Sequence, residues 1–194
     1  TKKSIFLKEW KEMYDNSIEW VSKQNGGQIS RFEKKKVFNS DGEKIKGDFI
    51  HIIPEQKAGK IIFDSKLCNN DWCTINPQTF QLLNFKDIYA VGDSVDAGDM
   101  PKSAFSAESQ AKILSLNLIN RILQKSYLNP VFLNTCYSFS SNDRAFSITS
   151  WYKLNTMKDR IVSLGSSQSS DDGFNDERIR EAKEAFGWYE SITK

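Results

Sequence analysis

Residues 88–112 read IYAVGDSVDAGDMPKSAFSAESQAK, and their reading decides the fold. The run opens on Ile88-Tyr89-Ala90-Val91, an apolar, β-prone segment of the kind that forms a buried strand. Gly92-Asp93 closes it. From Pro101 onward, PKSAFSAESQAKILSLNLINRILQ carries apolar residues at Ile113, Leu114, Leu116, Leu118, Ile119, Ile122 and Leu123. With Pro near its start, this predicts a helix of about six turns.

A helix that begins just past a strand is a common setting for nucleotide and flavin sites. Gly92 allows a ligand to approach the backbone closely. Asp93 offers a carboxylate that accepts hydrogen bonds from sugar or ribityl hydroxyls. The unpaired N–H groups of the helix start favour an oxygen that carries negative charge. The plain alternative is that Gly92-Asp93 is a strand-ending turn and Ser103 a helix cap.

Working outward toward the amino end, Asp48 to Ile53 has the apolar density of a buried strand, stopped by Pro54. His51, the single histidine, lies inside it and reads as a structural imidazole. The stretch 31–53 reads as short strands with Asp41-Gly42 as a hairpin turn. Its Lys34–Lys36 run reads as a solvated face. Residues 4–24 space Ile5, Phe6, Trp10, Met13, Tyr14, Ile18, Trp20 and Val21 mostly three and four apart, which predicts an amphipathic helix ending before Gly26-Gly27.

Toward the carboxyl end, the stretch 127–154 is rich in aromatic and β-branched residues and reads as several antiparallel strands. LGSSQSSDDG (164–173) reads as a loop, and residues 174–192 as a helix with an apolar stripe at Ala182, Ala185, Phe186, Tyr189 and Ile192.

Composition narrows the function classes. Apolar residues make up 39% and charged residues 27%, with 27 Lys and Arg against 25 Asp and Glu, which fits a folded soluble protein and implies neither nucleic acid nor a polybasic membrane partner. No apolar run reaches the roughly 20 residues of a membrane span. The chain opens on Thr1-Lys2-Lys3, which fits either a mature protein after export or a piece of a longer chain. Cys68, Cys73 and Cys136 are an odd number, so at least one thiol has no disulfide partner in this sequence. Each reads either as a buried thiol or as a redox cysteine with a partner elsewhere. One histidine and a lone C-x4-C pair do not make a metal site.

Read together, IIPEQKAGKI (52–61), DWCTINPQTF (71–80), the run at 88–112, LNTCYS (133–138) and FGWYESI (186–192) resemble, in order and spacing, the motifs of the flavin-carrying subunit of flavocytochrome c sulfide dehydrogenases. MPKSA followed by SQAK, and LNTCYS after them, are the specific parts. The resemblance is to the C-terminal portion of that subunit and covers nearly all of the chain from Asp48. It implies an α/β fold, α+β overall: part of a glutathione-reductase-like FAD/NAD(P)-binding fold, then a small α+β domain. Residues 1–47 would end a pyridine-nucleotide-type domain, residues 48–126 complete the FAD-binding domain, and residues 127–194 form the family's C-terminal domain.

The resemblance further implies FAD as cofactor, sulfide as substrate, a cytochrome c haem subunit as partner, and a periplasmic location. The flavin site would be Gly92 and Asp93, with Asp93 on the ribityl chain, and the helix start from Met100 through Pro101 and Lys102 to Ser103 at the pyrimidine edge. Cys136 would be the catalytic cysteine, one half of a redox-active disulfide beside the flavin ring. Hydrosulfide attacking such a disulfide leaves a persulfide and a thiolate. Trp188 and Tyr189 could line the cytochrome contact or simply pack the last helix.

Departures from the family pattern are specific. The Gly-rich dinucleotide fingerprint, the cysteine that carries covalent FAD and the second cysteine of the disulfide have no counterpart here, and Glu55 stands where the family usually has a second proline. Other readings are a quinone- or pyridine-nucleotide-linked flavoprotein, or a non-catalytic electron-transfer or cytochrome-docking module. The charged ending of the chain differs from the apolar terminus of quinone-linked enzymes.

Overall fold

The computed structural model describes residues 2–15, 17–33, 36–68 and 70–194. The chain divides into two compact units, Leu7–Gln56 and the larger Thr1–Phe6 with Lys57–Lys194. Secondary structure is mixed α+β, with two three-stranded antiparallel sheets and helices. No helix among the described residues is long and apolar enough to cross a membrane.

In the smaller unit, β1 (Ile29–Glu33), β2 (Lys36–Asn39) and β3 (Lys44–Ile45) pair in sequence order. The Asp41-Gly42 turn forms between β2 and β3 as expected. Gly42 sits at φ +81°, and the Asn39 Oδ1 accepts from the N–H groups of Asp41 and Glu43 at 3.1 and 2.8 Å, so the side chain organises its own turn. Of the lysine run, Lys36 is exposed, and Lys34 and Lys35 lie outside the described residues.

Two expectations fail in this region. The helix α1 (Lys3–Tyr14) stops ten residues short of the predicted end at 24, because Asp15 takes a left-handed φ of +42° that breaks the i→i−4 ladder. The predicted buried strand Asp48–Ile53 is not a strand: Phe49 is 87% and Ile53 78% exposed, and His51 is exposed rather than structural. Among the described residues nothing pairs with this backbone, and an extended segment without a ladder partner leaves its N–H and C=O groups to water.

The larger unit is built on a meander of long strands, β4 (Val131–Ser141), β5 (Arg144–Leu154) and β6 (Ile161–Gln168). These are the predicted antiparallel strands. The sequence LGSSQSSDDG is only half loop, since Gly165, Ser166, Ser167 and Gln168 pair with Trp151, Ser150, Thr149 and Ile148. Their side chains carry no strand signal; the backbone ladder of β5 imposes it.

After the short helix α2 (Lys60–Asp64), two long helices flank the sheet. α3 (Ala104–Ile122) packs on β4, and α4 (Asn175–Thr193) packs on β5. α3 has its N-cap at Ser103, whose Oγ accepts from the N–H of Ser106 at 3.1 Å, so the capping role foreseen for Ser103 is real. Its buried face is polar, made by Ser106, Gln110 and Asn117. Of the predicted apolar face, Leu116, Ile119, Ile122 and Leu123 remain about half exposed or more. The polar face wins because each of its side chains has a specific partner: Asn117 donates to the Gln78 carbonyl at 2.7 Å and accepts from the Leu128 N–H at 2.9 Å, which removes the cost of burying it.

The core gathers Cys73, Ile75, Phe80, Leu82, Val95, Ala97 and Met100 from the irregular segment against Phe132, Tyr152, Leu154 and Ile161 from the sheet. Phe80 and Phe132 are fully buried and meet edge to face at 5.8 Å; burying a Phe side chain contributes about 1.5–3 kcal/mol. The predicted strand Ile88–Val91 makes only a single bridge, Gln81 to Tyr89. Its neighbour turns away at Phe80, φ +57°, so the two segments exchange just the bonds Leu82 N–H to Ile88 O and Ala90 N–H to Phe80 O.

Candidate flavin and thiol site

Gly92–Ser94 form a single 3-10 turn ahead of α3. Gly92 has φ +77°, and a Cβ there would come within 3.2 Å of the Ala107 Cβ, so glycine permits the turn to lie against the helix. Its N–H donates to the Gln110 Oε1 at 2.7 Å. The Asp93 side chain is exposed. Its carbonyl accepts from the Lys102 Nζ at 3.0 Å, and the Val95 carbonyl accepts from the same ammonium at 2.7 Å. Lys102 also lies over the Trp72 ring at 3.7 Å. Burial pulls the Lys102 ammonium below its usual range, opposed by the charges of Asp93 and Asp96.

Met100 is buried in the core with its sulfur 3.9 Å from the Gln110 Nε2, and Pro101 is exposed. Farther along the loop, Asp99 accepts from the Arg160 Nη2 at 2.9 Å and from the Ser163 N–H at 3.0 Å. The Arg160 bond, then the Ser163 N–H, hold the Asp99 carboxyl below the ordinary carboxylate range. The approach to α3 is thereby pinned to the turn between β5 and β6.

Beyond the cap a second set of contacts begins. The Ser103 Oγ–H donates to the Asn134 Oδ1 at 2.6 Å, the Ser106 Oγ–H donates to the same oxygen at 3.2 Å, and the Asn134 Nδ2 lies 3.2 Å from the Cys136 Sγ as donor. Asn134 is 2% exposed. It ties the start of α3 to the thiol on β4. The Lys2 ammonium donates to the Cys136 carbonyl and to the Ser138 Oγ. Burial lowers the Lys2 pKa, opposed by Cys136 and Glu181.

This thiol faces a cavity of about 500 Å³ walled by Ser103, Ala104 and Phe105 of the α3 start, Cys136, Tyr137 and Phe139 of β4, and Ala185, Phe186, Trp188 and Tyr189 of α4. The volume lies in the range of small-molecule and cofactor sites. Phe105 and Trp188 stack at 5.1 Å with 21° between planes. The Trp188 indole N–H donates to the Glu108 carboxylate at 3.1 Å. Lys112, 2.7 Å away, and then that indole bond keep the Glu108 carboxyl below its usual range. Tyr137 is shifted the other way: burial and then the carboxylates of Glu184 and Glu181 push its phenol up.

Of the residues singled out from sequence, the cavity brings together Cys136 and Ser103. Gly92, Asp93, Met100, Pro101 and Lys102 do not line it; they shape the turn that leads into α3. The cavity lining is largely aromatic, and the Ala104 and Phe105 N–H groups of the α3 start have no partner within the helix. Trp188 and Tyr189 are at the cavity, while Phe186 and Tyr189 stay 54% and 59% exposed, unlike Ala182 and Ala185 of the predicted stripe, which are buried.

Asn134, Phe105, Glu108 and Lys2 escaped the sequence reading. Asn134 carried a signal, because it stands two residues before Cys136 on one strand and alternate strand residues share a face. The other three carried none.

Among the described residues no cluster of His, Cys, Asp and Glu could hold a metal ion. Residues 128–194 match the family model described as flavocytochrome c sulphide dehydrogenase, flavin-binding, so this C-terminal portion of the chain is similar to the flavin-binding domain of that family, and FAD is the cofactor consistent with it.

Proposed function

We propose that the chain is part of an FAD-dependent sulfide dehydrogenase, with Cys136 as the residue that handles sulfur and a cytochrome c subunit as electron acceptor. The observation that carries this reading is the Ser103–Asn134–Cys136 chain of hydrogen bonds at the edge of an aromatic cavity. The Asn134 amide holds the sulfur at the cavity edge, and sulfur exchange needs a sulfur fixed in line with its attacker. The Lys2 ammonium donates to the Cys136 carbonyl and ties down the strand at this residue.

In the proposed reaction Cys136 is held in a disulfide with a cysteine outside this sequence. Hydrosulfide attacks one sulfur, the disulfide bond breaks, a persulfide forms, and the other sulfur leaves as thiolate. Asn134 would hold the Cys136 sulfur in place during this exchange, and the walls of Phe105, Phe139 and Trp188 would exclude water. When bound, FAD supplies the capacity to take two electrons together and release them singly, as a haem acceptor requires. Asp93 would hold it by hydrogen bonds to hydroxyls, and the segment Met100–Ser103 would bring the free N–H groups of the α3 start at Ala104 and Phe105 to its pyrimidine edge. The division at residues 47 and 126 and a periplasmic location belong to the same proposal.

The test is flavin absorbance of the flavin-loaded protein on anaerobic addition of sulfide, beside Cys136→Ser. Bleaching that disappears in the variant supports the reading. Equal bleaching in both removes Cys136 from the chemistry and leaves an electron-transfer or docking module.

A further inference from the structure

Glu108 does not line the cavity beside Cys136, but it bonds a residue that does. α3 packs chiefly on β4 and α4 on β5, so the start of α3 and the end of α4 reach the cavity from different strands. Trp188 joins them. Its ring stacks on Phe105 at 5.1 Å with 21° between planes, and its indole N–H donates to the Glu108 Oε2 at 3.1 Å. Phe105 and Glu108 stand three residues apart on α3 and so share a face of the helix.

The two contacts restrict different motions. A stacked ring can still turn in its plane and slide over its neighbour, because dispersion contacts have little direction. A hydrogen bond weakens steeply as it bends, so the Glu108 bond fixes which way the indole points. Glu108 is fixed in turn: Lys112 binds its Oε1 at 2.7 Å, which leaves Oε2 to the indole. α4 has little else to steady this turn. Gly187 precedes Trp188 with open space about it, glycine weakens a helix interior, and Phe186 and Tyr189 are both more than half exposed.

We propose that Glu108 is a positioning residue for the cavity: it locks the Trp188 indole against Phe105 and thereby sets the orientation of the aromatic wall that a flavin ring beside Cys136 would meet. This rests on the flavin and sulfide reading above. Without the carboxylate the indole turns within its stack, and the flavin spends less of its time in register with Cys136. A hydrogen bond to a charged group is strong enough to change that population about tenfold.

The experiment labels the five tryptophans of the full chain with nitrogen-15 and uses Trp188→Phe to assign the Trp188 indole cross-peak. In Glu108→Ala that cross-peak should move upfield as it loses its acceptor, with the others in place. Glu108→Gln keeps an acceptor oxygen and should leave it near its wild-type position. In the flavin-loaded protein, anaerobic bleaching by saturating sulfide should slow about tenfold in Glu108→Ala, with half-saturating sulfide little changed, and Glu108→Gln should recover to within about threefold of wild type. A Trp188 cross-peak unmoved by Glu108→Ala overturns the proposal. So does a cross-peak that moves while bleaching keeps its wild-type rate, or a Glu108→Gln protein as slow as Glu108→Ala. Wild-type flavin that sulfide leaves unbleached overturns the sulfide reading and the rate effect together, while the cross-peak, read without flavin or sulfide, decides the indole bond on its own.

Discussion

Replacing Asn134 by Ala tests whether the junction between α3 and β4 rests on one side chain. The Asn134 Oδ1 is the acceptor for both Ser103 and Ser106. Ser106 is 1% exposed, so its hydroxyl cannot turn to water once the acceptor is gone. A buried donor left unsatisfied costs about 1–3 kcal/mol. Ser103 is only half-buried and retains its bond from the Ser106 N–H, so its share is smaller. Together with the space vacated, the loss is about 2–4 kcal/mol.

Tryptophan-monitored urea unfolding of Asn134→Ala, Ser106→Ala and the double variant isolates the pair. If the hydroxyl is stranded by the first change, removing it first makes the second cheaper. The coupling should be about 1 kcal/mol or more, against the roughly 0.3–0.5 kcal/mol within which independent sites add. Additive losses, or a loss under about 1 kcal/mol in Asn134→Ala, would refute the idea that this amide holds the helix start to the strand.

Two further predictions concern the loop that leads into α3. Gly98 has φ +65°, and a Cβ there would stand 2.3 Å from the Ile161 carbonyl oxygen. Gly98→Ala should therefore lose about 1–2 kcal/mol to the left-handed backbone and about 1–3 kcal/mol to the displaced strand, while Gly59→Ala, with open space around it, should stay near wild type in the same unfolding assay. Equal stability of the two variants would remove the close approach to Ile161. Asp99 supplies a pH dependence: its folded pKa is depressed by Arg160 and Ser163, so its stabilisation is present above the unfolded value of about 3.9 and is lost as pH falls through the lower folded value. The stability difference between wild type and Asp99→Asn should shrink across that acid window, and a difference independent of pH would show that the carboxylate charge is irrelevant.

Elements set by local forces are legible in the chain, and those set by long-range pairing are not. α3, α4 and the β4–β5 pair were legible because their signals are local: Pro101 and Ser103 at a helix start, and alternating aromatic and β-branched residues from Val131 to Leu154. The same local logic misjudged Asp48–Ile53 and Ile88–Val91. Both are apolar, but a strand exists only where a neighbour offers its N–H and C=O groups, and Phe80 turns the one neighbour of Tyr89 away. Conversely, Ser166 and Ser167 join a strand because β5 lies beside them.

At the site, sequence by itself determined the thiol and the helix cap, Cys136 and Ser103, and the resemblance of LNTCYS and MPKSA that assigned them a chemistry. Tertiary structure decided how they meet. Asn134 spans from Ser103 on one side to Cys136 on the other, a contact across some thirty residues of chain that no periodicity encodes. Phe105 stacks on Trp188, and Glu108 accepts from its indole, only because α3 and α4 pack against adjacent strands of the same sheet. Chain-local chemistry sets which groups are present, and sheet pairing with helix packing sets which of them share a cavity.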